Sequence, residues 1–281
     1  MSPTRSTERR TPSRGRRALT RASALALLAL SATACDAEEA KRIGFPEPAT
    51  EQAKRMLTLW QGSWIAALIV GGVVWGLIIW AVLFHRKRKG DESLPLQVRY
   101  NLPLEMLYTA VPFIIIGVLF FYTARDETYV EKRVNEKADV TVDVIAYQWS
   151  WQFDYLGDQF KKADGKPISI VGTPTEPDAP GGTGNGEKPV LVIPVGKVVH
   201  FNLKSNNVIH SFWVPAFLYK KDVMPGYVNQ FEVKPTKVGL YEGRCAELCG
   251  ESHARMLFQV KVVPQAEFDQ FVNANKTGGV Q

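Results

Sequence analysis

Cys245-Ala246-Glu247-Leu248-Cys249-Gly250-Glu251-Ser252-His253-Ala254-Arg255-Met256 places two thiols, an imidazole and a thioether within twelve positions. The run lies between two stretches that read as strands, 238–243 and 256–263, so one loop can converge these side chains on a point. Thiolate, imidazole and thioether form a soft donor set that selects copper over calcium or magnesium. Structural zinc sites use Cys and His but rarely Met, which weighs against zinc. A mononuclear blue-copper site takes two His, one Cys and a weak axial ligand. Here there is one Cys too many, and two coppers sharing two bridging sulfurs account for the spare thiolate. An S–S bond between Cys245 and Cys249 in an oxidising compartment is the competing reading, and it leaves His253 and Met256 as coincidences.

Outward from this loop the pattern is of short alternating segments. Val140, Val142, Val144 and Ala146 share one face of a strand, which continues into the aromatic run Tyr147-Gln148-Trp149-Ser150-Trp151-Gln152-Phe153. Further strands are expected near 189–194, 198–205 and 228–233, punctuated by Pro194-Val195-Gly196, Pro225-Gly226 and Lys237-Val238-Gly239. Short strands at such intervals predict an all-β Greek-key sandwich or barrel, closed by a helix over 265–274. Residues 157–188, rich in Gly, Pro and Asp, read as an insertion, with Pro174–Gly186 contributing nothing to a core. His210, in Asn207-Val208-Ile209-His210-Ser211-Phe212-Trp213, stands at the end of an apolar strand. Alone it would be a satisfied core histidine, but the copper loop needs a second imidazole. His200 reads as an ordinary strand residue and His85 as part of a basic loop.

Leu57–Phe84 carries no charged residue over 28 positions, with Trp60, Trp64 and Trp80 towards its ends, where indoles favour the membrane interface. His85-Arg86-Lys87-Arg88-Lys89 follows and is expected on the cytoplasmic side. Leu102–Ala124 is a second apolar span of 23 residues, closed by Arg125 and Asp126. The resulting hairpin (57–125) leaves 36–56 and 126–281 outside. Glu105 lies in the second span, together with Pro112. An acid there is a functional candidate by default; the alternative is a first-turn residue facing the headgroups. Residues 1–35 have the layout of a secretory signal: basic Arg5–Arg21, thirteen uncharged residues Ala22–Ala34, then Cys35. That apolar run is too short to span a bilayer. Ala32-Thr33-Ala34-Cys35 resembles a bacterial lipobox, which makes Cys35 a lipidation candidate; ordinary cleavage nearby is the other reading, and Arg16-Arg17 admits a twin-arginine signal.

The 281 residues are 46% hydrophobic, which excludes a disordered chain, and three cysteines cannot build a disulfide framework. A net charge of +6 invites a nucleic-acid reading, yet residues 1–35 hold seven arginines and one glutamate, the whole surplus. From residue 126 onward there are 17 basic and 19 acidic residues, so this part is not a nucleic-acid binder. The mean hydropathy of −0.10 averages two intensely apolar spans with a polar remainder.

Cys-x-Glu-x-Cys-Gly-x-x-His-x-x-Met, with an upstream His-Ser-x-Trp-Val-Pro, an aromatic Gln-Trp-x-Trp and a two-helix hairpin, resembles subunit II of cytochrome c oxidase over about residues 50–265. The resemblance implies a cupredoxin-like domain holding a dinuclear CuA centre on His210, Cys245, Cys249, His253, Met256 and the backbone carbonyl of Glu247. It implies that the Glu247 side chain binds a magnesium ion shared with subunit I. Trp149 would be the electron-entry residue and Glu105 the acid at the mouth of a proton channel. Implied partners are subunit I, which carries the haem, other oxidase subunits, and a soluble or membrane-bound cytochrome c, in a bacterial cell membrane; a supercomplex with a cytochrome bc complex would suit a bound donor. Asn207, Tyr227 and Arg244 stand where the family often has Asp, Arg and Gln. These departures make the donor face less acidic and put docking of a basic soluble cytochrome in doubt. The lipobox and the long 157–188 insertion resemble Gram-positive, actinobacterial versions. A quinol oxidase subunit II has the same architecture without the copper ligands. A membrane-tethered copper carrier would need neither the aromatic strand nor an intramembrane acid, and nitrous oxide reductase carries a large further domain.

Overall fold

The computed structural model describes residues 37–87, 90, 94, 96–131, 138–173 and 188–277. Cys35 and the leader lie outside the described residues, as do the whole Pro174–Gly186 stretch and the end of the basic loop. The chain divides into a unit over residues 1–45 and one over 46–281. In the first, a short helix α1 (Ala37–Lys41) ends in a turn where the Arg42 side chain donates to the Phe45 carbonyl at 3.0 Å.

The second unit opens with two long helices, α2 (Glu51–Phe84) and α3 (Leu102–Glu131). Both are apolar on every side, and none of their most apolar windows is buried in the protein. A helix that is hydrophobic all round needs lipid or another protein about it. The helices exceed the apolar spans read from sequence, beginning at Glu51 rather than Leu57 and ending at Glu131 rather than Ala124. Most of the charged residues flanking the apolar stretches, such as Lys54, Arg55, Arg125 and Glu127, are good helix formers, and Arg55, Arg125 and Asp126 find partners there. Asp126, 2% exposed, accepts from Arg55 at 3.1 Å and Arg125 at 2.8 Å, and Arg55 also lies over the Tyr129 ring at 4.1 Å. Thr50 caps α2 through the Ala53 amide at 3.0 Å. The flanking backbone joins the following domain through Ala49 N to Ala216 O at 2.9 Å and Glu51 N to Lys234 O at 3.0 Å.

Among the described residues that domain has ten strands: β1 (Val140–Tyr147), β2 (Ser150–Leu156), β3 (Ile168–Val171), β4 (Val190–Pro194), β5 (Val199–Ser205), β6 (His210–Val214), β7 (Tyr219–Val223), β8 (Asn229–Val233), β9 (Gly239–Cys245) and β10 (Leu257–Val263). A helix, α4 (Gln265–Lys276), closes it. The sheets run β3-β2-β1-β5-β8 and β4-β10-β9-β6-β7, with β1/β5 and β4/β10 parallel and the rest antiparallel. They face each other through aromatic side chains: Trp151 against Phe258 at 5.1 Å, and Phe201 against Phe212 at 5.6 Å between ring centres. The expected all-β Greek-key sandwich is therefore present.

Four strands differ from the sequence reading: the run read as one strand from Val140 through Phe153 is a hairpin, with β1 and β2 paired antiparallel across a turn at Gln148-Trp149. β3 lies inside the supposed insertion: Ile168 and Phe160 are buried in the core, and β3 pairs with β2. The part of 157–188 before residue 174 therefore contributes to the core. β7, Tyr219-Lys220-Lys221-Asp222-Val223, is a charged edge strand; edges tolerate and even favour such charge. His210 opens β6 rather than ending a strand, because Asn206–Ile209 is an exposed loop.

Candidate metal centre

Sheet pairing puts the ligand-bearing residues at one end of the sandwich. His210 begins β6, Cys245 ends β9 opposite Phe212, and the 246–256 loop returns into β10. The Cys245 amide donates to Met256 O at 3.1 Å and the Ala246 amide to Ser211 O at 3.0 Å. These bonds close the loop on β6. Donor atoms then converge. Cys245 Sγ lies 3.8 Å from His210 Nδ1, 3.2 Å from Glu247 O and 3.9 Å from Cys249 Sγ. Cys249 Sγ lies 3.6 Å from His253 Nδ1 and 3.8 Å from Met256 Sδ. Ligands bonded to one tetrahedral ion at roughly 2.0–2.3 Å stand about 3.3–3.8 Å apart, so this set fits a bound metal. Both thiols are free and buried. His210 and Met256 are fully buried, His253 only partly.

Burial drives the electrostatics. It pushes His210 down to about 4, with the neighbouring His253 adding to the effect, so the ring is neutral and its nitrogen free for a metal. Burial first, and then the adjacent Cys245, push Cys249 up to about 12, so without metal it keeps its proton. Metal binding therefore releases that proton and tightens as pH rises. The same shifts predict the pH response of the copper-free chain. A lowered histidine value means stability held above pH 6.5 and lost as pH falls from 6.5 towards 4, by at most about 3 kcal/mol. A raised thiol value means stability held below pH 9 and lost as pH rises towards 12. Urea midpoints of wild type and His210→Asn, measured from pH 4 to 8, check the acid limb; parallel profiles would remove His210 as its cause.

The β1–β2 turn reaches the same end. Trp149 Nε1 and Gln148 Nε2 both donate to Cys249 O, at 3.2 and 2.8 Å. Gly250 makes room for them: its φ is +120°, and a Cβ there would meet Gln148 Nε2 and Trp149 Nε1 at 3.2 Å. Of the residues singled out in the sequence, His210, Cys245, Cys249, His253, Met256, the Glu247 carbonyl and Trp149 are thus together. The Glu247 side chain is exposed. Glu105 is far along the chain in the first turn of α3, where its carboxylate accepts from Asn101 N at 3.0 Å while Asn101 Oδ1 accepts from Leu104 N at 3.3 Å, a reciprocal cap. His200, read as an ordinary strand residue, hydrogen-bonds Glu232 at 3.0 Å and Asn202 at 3.1 Å on the outer face of β5.

Residues 140–263 match the family described as cytochrome c oxidase subunit II, periplasmic domain. A probable cytochrome c oxidase subunit 2 of Streptomyces coelicolor is 46% identical over 278 residues, covering 91% of this chain and 86% of the relative. The chain belongs to the cytochrome c oxidase subunit II family. A cytochrome c oxidase subunit 2 of Mycobacterium bovis is 38% identical over 309 residues, covering 95% of this chain and 84% of the relative. Among solved structures, the periplasmic domain of the Bradyrhizobium japonicum oxidase subunit II is 33% identical, covering 50% of this chain and 95% of that one, with a TM-score of 0.42. Membership of the subunit II family accords with the cupredoxin-like sandwich described above.

Proposed function

We propose that this chain is the electron-entry subunit of an aerobic respiratory oxidase, taking electrons from a c-type cytochrome and delivering them to the haem-bearing subunit I, where oxygen reduction is coupled to proton translocation. What supports this most is the convergence of six donor atoms, two of them free thiols, in a chain whose relatives are named cytochrome c oxidase subunit 2. His210, Cys245, Cys249, His253, Met256 and the Glu247 carbonyl would hold two copper ions. When bound, the copper pair supplies a one-electron carrier of small structural change. The chain's residues do the rest. The buried thiols and the hydrogen-bonded loop hold the donors in place before any metal arrives, which limits reorganisation. Trp149, bonded to the peptide of Cys249, gives an incoming electron a short route from the surface. The exposed Glu247 carboxylate is the ligand for a magnesium ion shared with subunit I.

The domain layout follows the same reading. Residues 1–35 are a signal, with Cys35 its lipidation site; 57–125 are the membrane hairpin, and 126–281 lie outside the cell membrane. Glu105 admits protons to subunit I while its carboxylate caps α3. Glu105→Gln is therefore expected to slow turnover several-fold with copper content unchanged, and undiminished turnover leaves it only the cap. Purification of the intact complex tests the whole proposal. Two coppers per chain together with a co-purifying haem subunit are expected. Copper without the haem subunit would mark a tethered carrier, a haem complex without copper a quinol oxidase, and zinc or an S–S bond between Cys245 and Cys249 would refute the copper centre.

A further inference from the structure

We propose that Asn207 is a positioning residue of the copper centre, locking the His210 ring with its Nδ1 bare and tying that ring through Gln148 to the peptide of Cys249. This deepens the functional reading above and rests on it. The argument is one of hydrogen-bond direction. Asn207 Oδ1 is 2.8 Å from the Val208 amide and 2.9 Å from His210 Nε2. A backbone N–H can only donate, so the Asn207 atom facing it is the carbonyl oxygen, and the His210 nitrogen facing the same oxygen carries the proton. A neutral imidazole has one N–H. Nδ1 is then the unprotonated nitrogen, and it is the one directed at Cys245 Sγ, 3.8 Å away.

The other end of the chain of bonds is fixed in the same way. Cys249 O can only accept, so the Gln148 atom 2.8 Å from it is the amide nitrogen. Gln148 Oε1 is left to accept from Asn207 Nδ2, at 3.2 Å. Two obligate groups, one at each end, thus set both amides without conflict, and they connect the first histidine to the second cysteine across the site. An aspartate at 207 would keep the acceptor for His210 but set a carboxylate oxygen against Gln148 Oε1. Gln148 would have to turn over, and its bond to Cys249 O would be lost. The asparagine, a neutral acceptor where the family often has Asp, is what permits the whole relay.

Removing the acceptor makes His210 a weaker ligand, and a carboxylate makes it a stronger one. Because the oxidised centre gains more from a strong ligand, Asn207→Ala should raise the reduction potential and Asn207→Asp lower it. Each shift is expected to be about tenfold in the oxidised-to-reduced ratio, or roughly 59 mV for a one-electron couple. The full-length chain has four histidines, so ¹⁵N-histidine spectra of the copper-free chain can follow the His210 tautomer directly. Wild type and Asn207→Asp should show the Nε2–H form, and Asn207→Ala a mixture. Opposite potential shifts with that tautomer pattern support the proposal; a general loosening of the loop would move both variants in the same direction and overturn it. An unchanged tautomer in Asn207→Ala overturns it too, even if that variant binds no copper. A wild-type chain that binds no copper pair would instead defeat the functional reading, while the tautomer measurement would still judge Asn207.

Discussion

Cys249→Ser is expected to abolish the mixed-valence optical and EPR signature that the proposed copper pair would give and to reduce cytochrome c oxidation by several orders of magnitude. Cys249 is the hub of the site: its sulfur faces Cys245 Sγ at 3.9 Å, His253 Nδ1 at 3.6 Å and Met256 Sδ at 3.8 Å, and its carbonyl receives Trp149 and Gln148. A serine hydroxyl does not ionise near neutral pH and is a hard donor, so it can neither bridge two coppers nor match their softness. The fold should survive, because the substitution is nearly isosteric and the loop is closed by backbone bonds. Metal analysis, optical spectra and donor oxidation by the reconstituted complex make the measurement. A Cys249→Ser chain that keeps both the signature and the activity would falsify the assignment.

Phe258→Ala should have the largest effect on stability, about 3–5 kcal/mol. Its ring is fully buried, stacked on Phe212 at 4.7 Å and edge-on to Trp151 at 5.1 Å and Phe153 at 5.7 Å. Gly243, on the paired strand, has no Cβ where that ring lies; a Cβ there would come within 2.2 Å of it. The partners are already committed to the sandwich, so the space left by the ring cannot close. With a urea dependence of roughly 1–3 kcal/mol per M, the unfolding midpoint of the copper-free chain should fall by at least 1 M. A shift under about 0.3 M would mean that the two sheets repack and that this aromatic layer is not what holds them together. The cavity would also sit just beneath the donors, since Trp151 Nε1 reaches Met256 O at 3.4 Å; part of the copper affinity should go with it.

Much of the candidate centre could be read in the chain because five of its six candidate donors fall within residues 245–256. A loop between two paired strands must bring such close neighbours together whatever the rest of the fold does. The helices were legible for another reason: both are apolar on every side, and that composition needs no partner to be recognised. Edge strands β3 and β7 escaped because they are short and carry polar or charged residues where an interior strand would show regular alternation. The ends of α2 and α3 escaped because apolarity marks only part of each helix, and the charges beyond it are paired through Arg55 and Asp126, 71 residues apart.

The candidate donor set, the two apolar segments and the alternation of the main strands are local properties, legible in the order of residues before any folding. Which nitrogen of His210 meets the sulfurs, how Gln148 and Trp149 come to hold the Cys249 carbonyl, and where the buried Asp126 finds its arginines were decided by the folded chain alone. Asn207 and Gln148 are 59 residues apart and Gln148 and Cys249 are 101. Hydrogen-bond direction is a property of atoms within about 3 Å of each other, and only the pairing of the two sheets brings these within that reach.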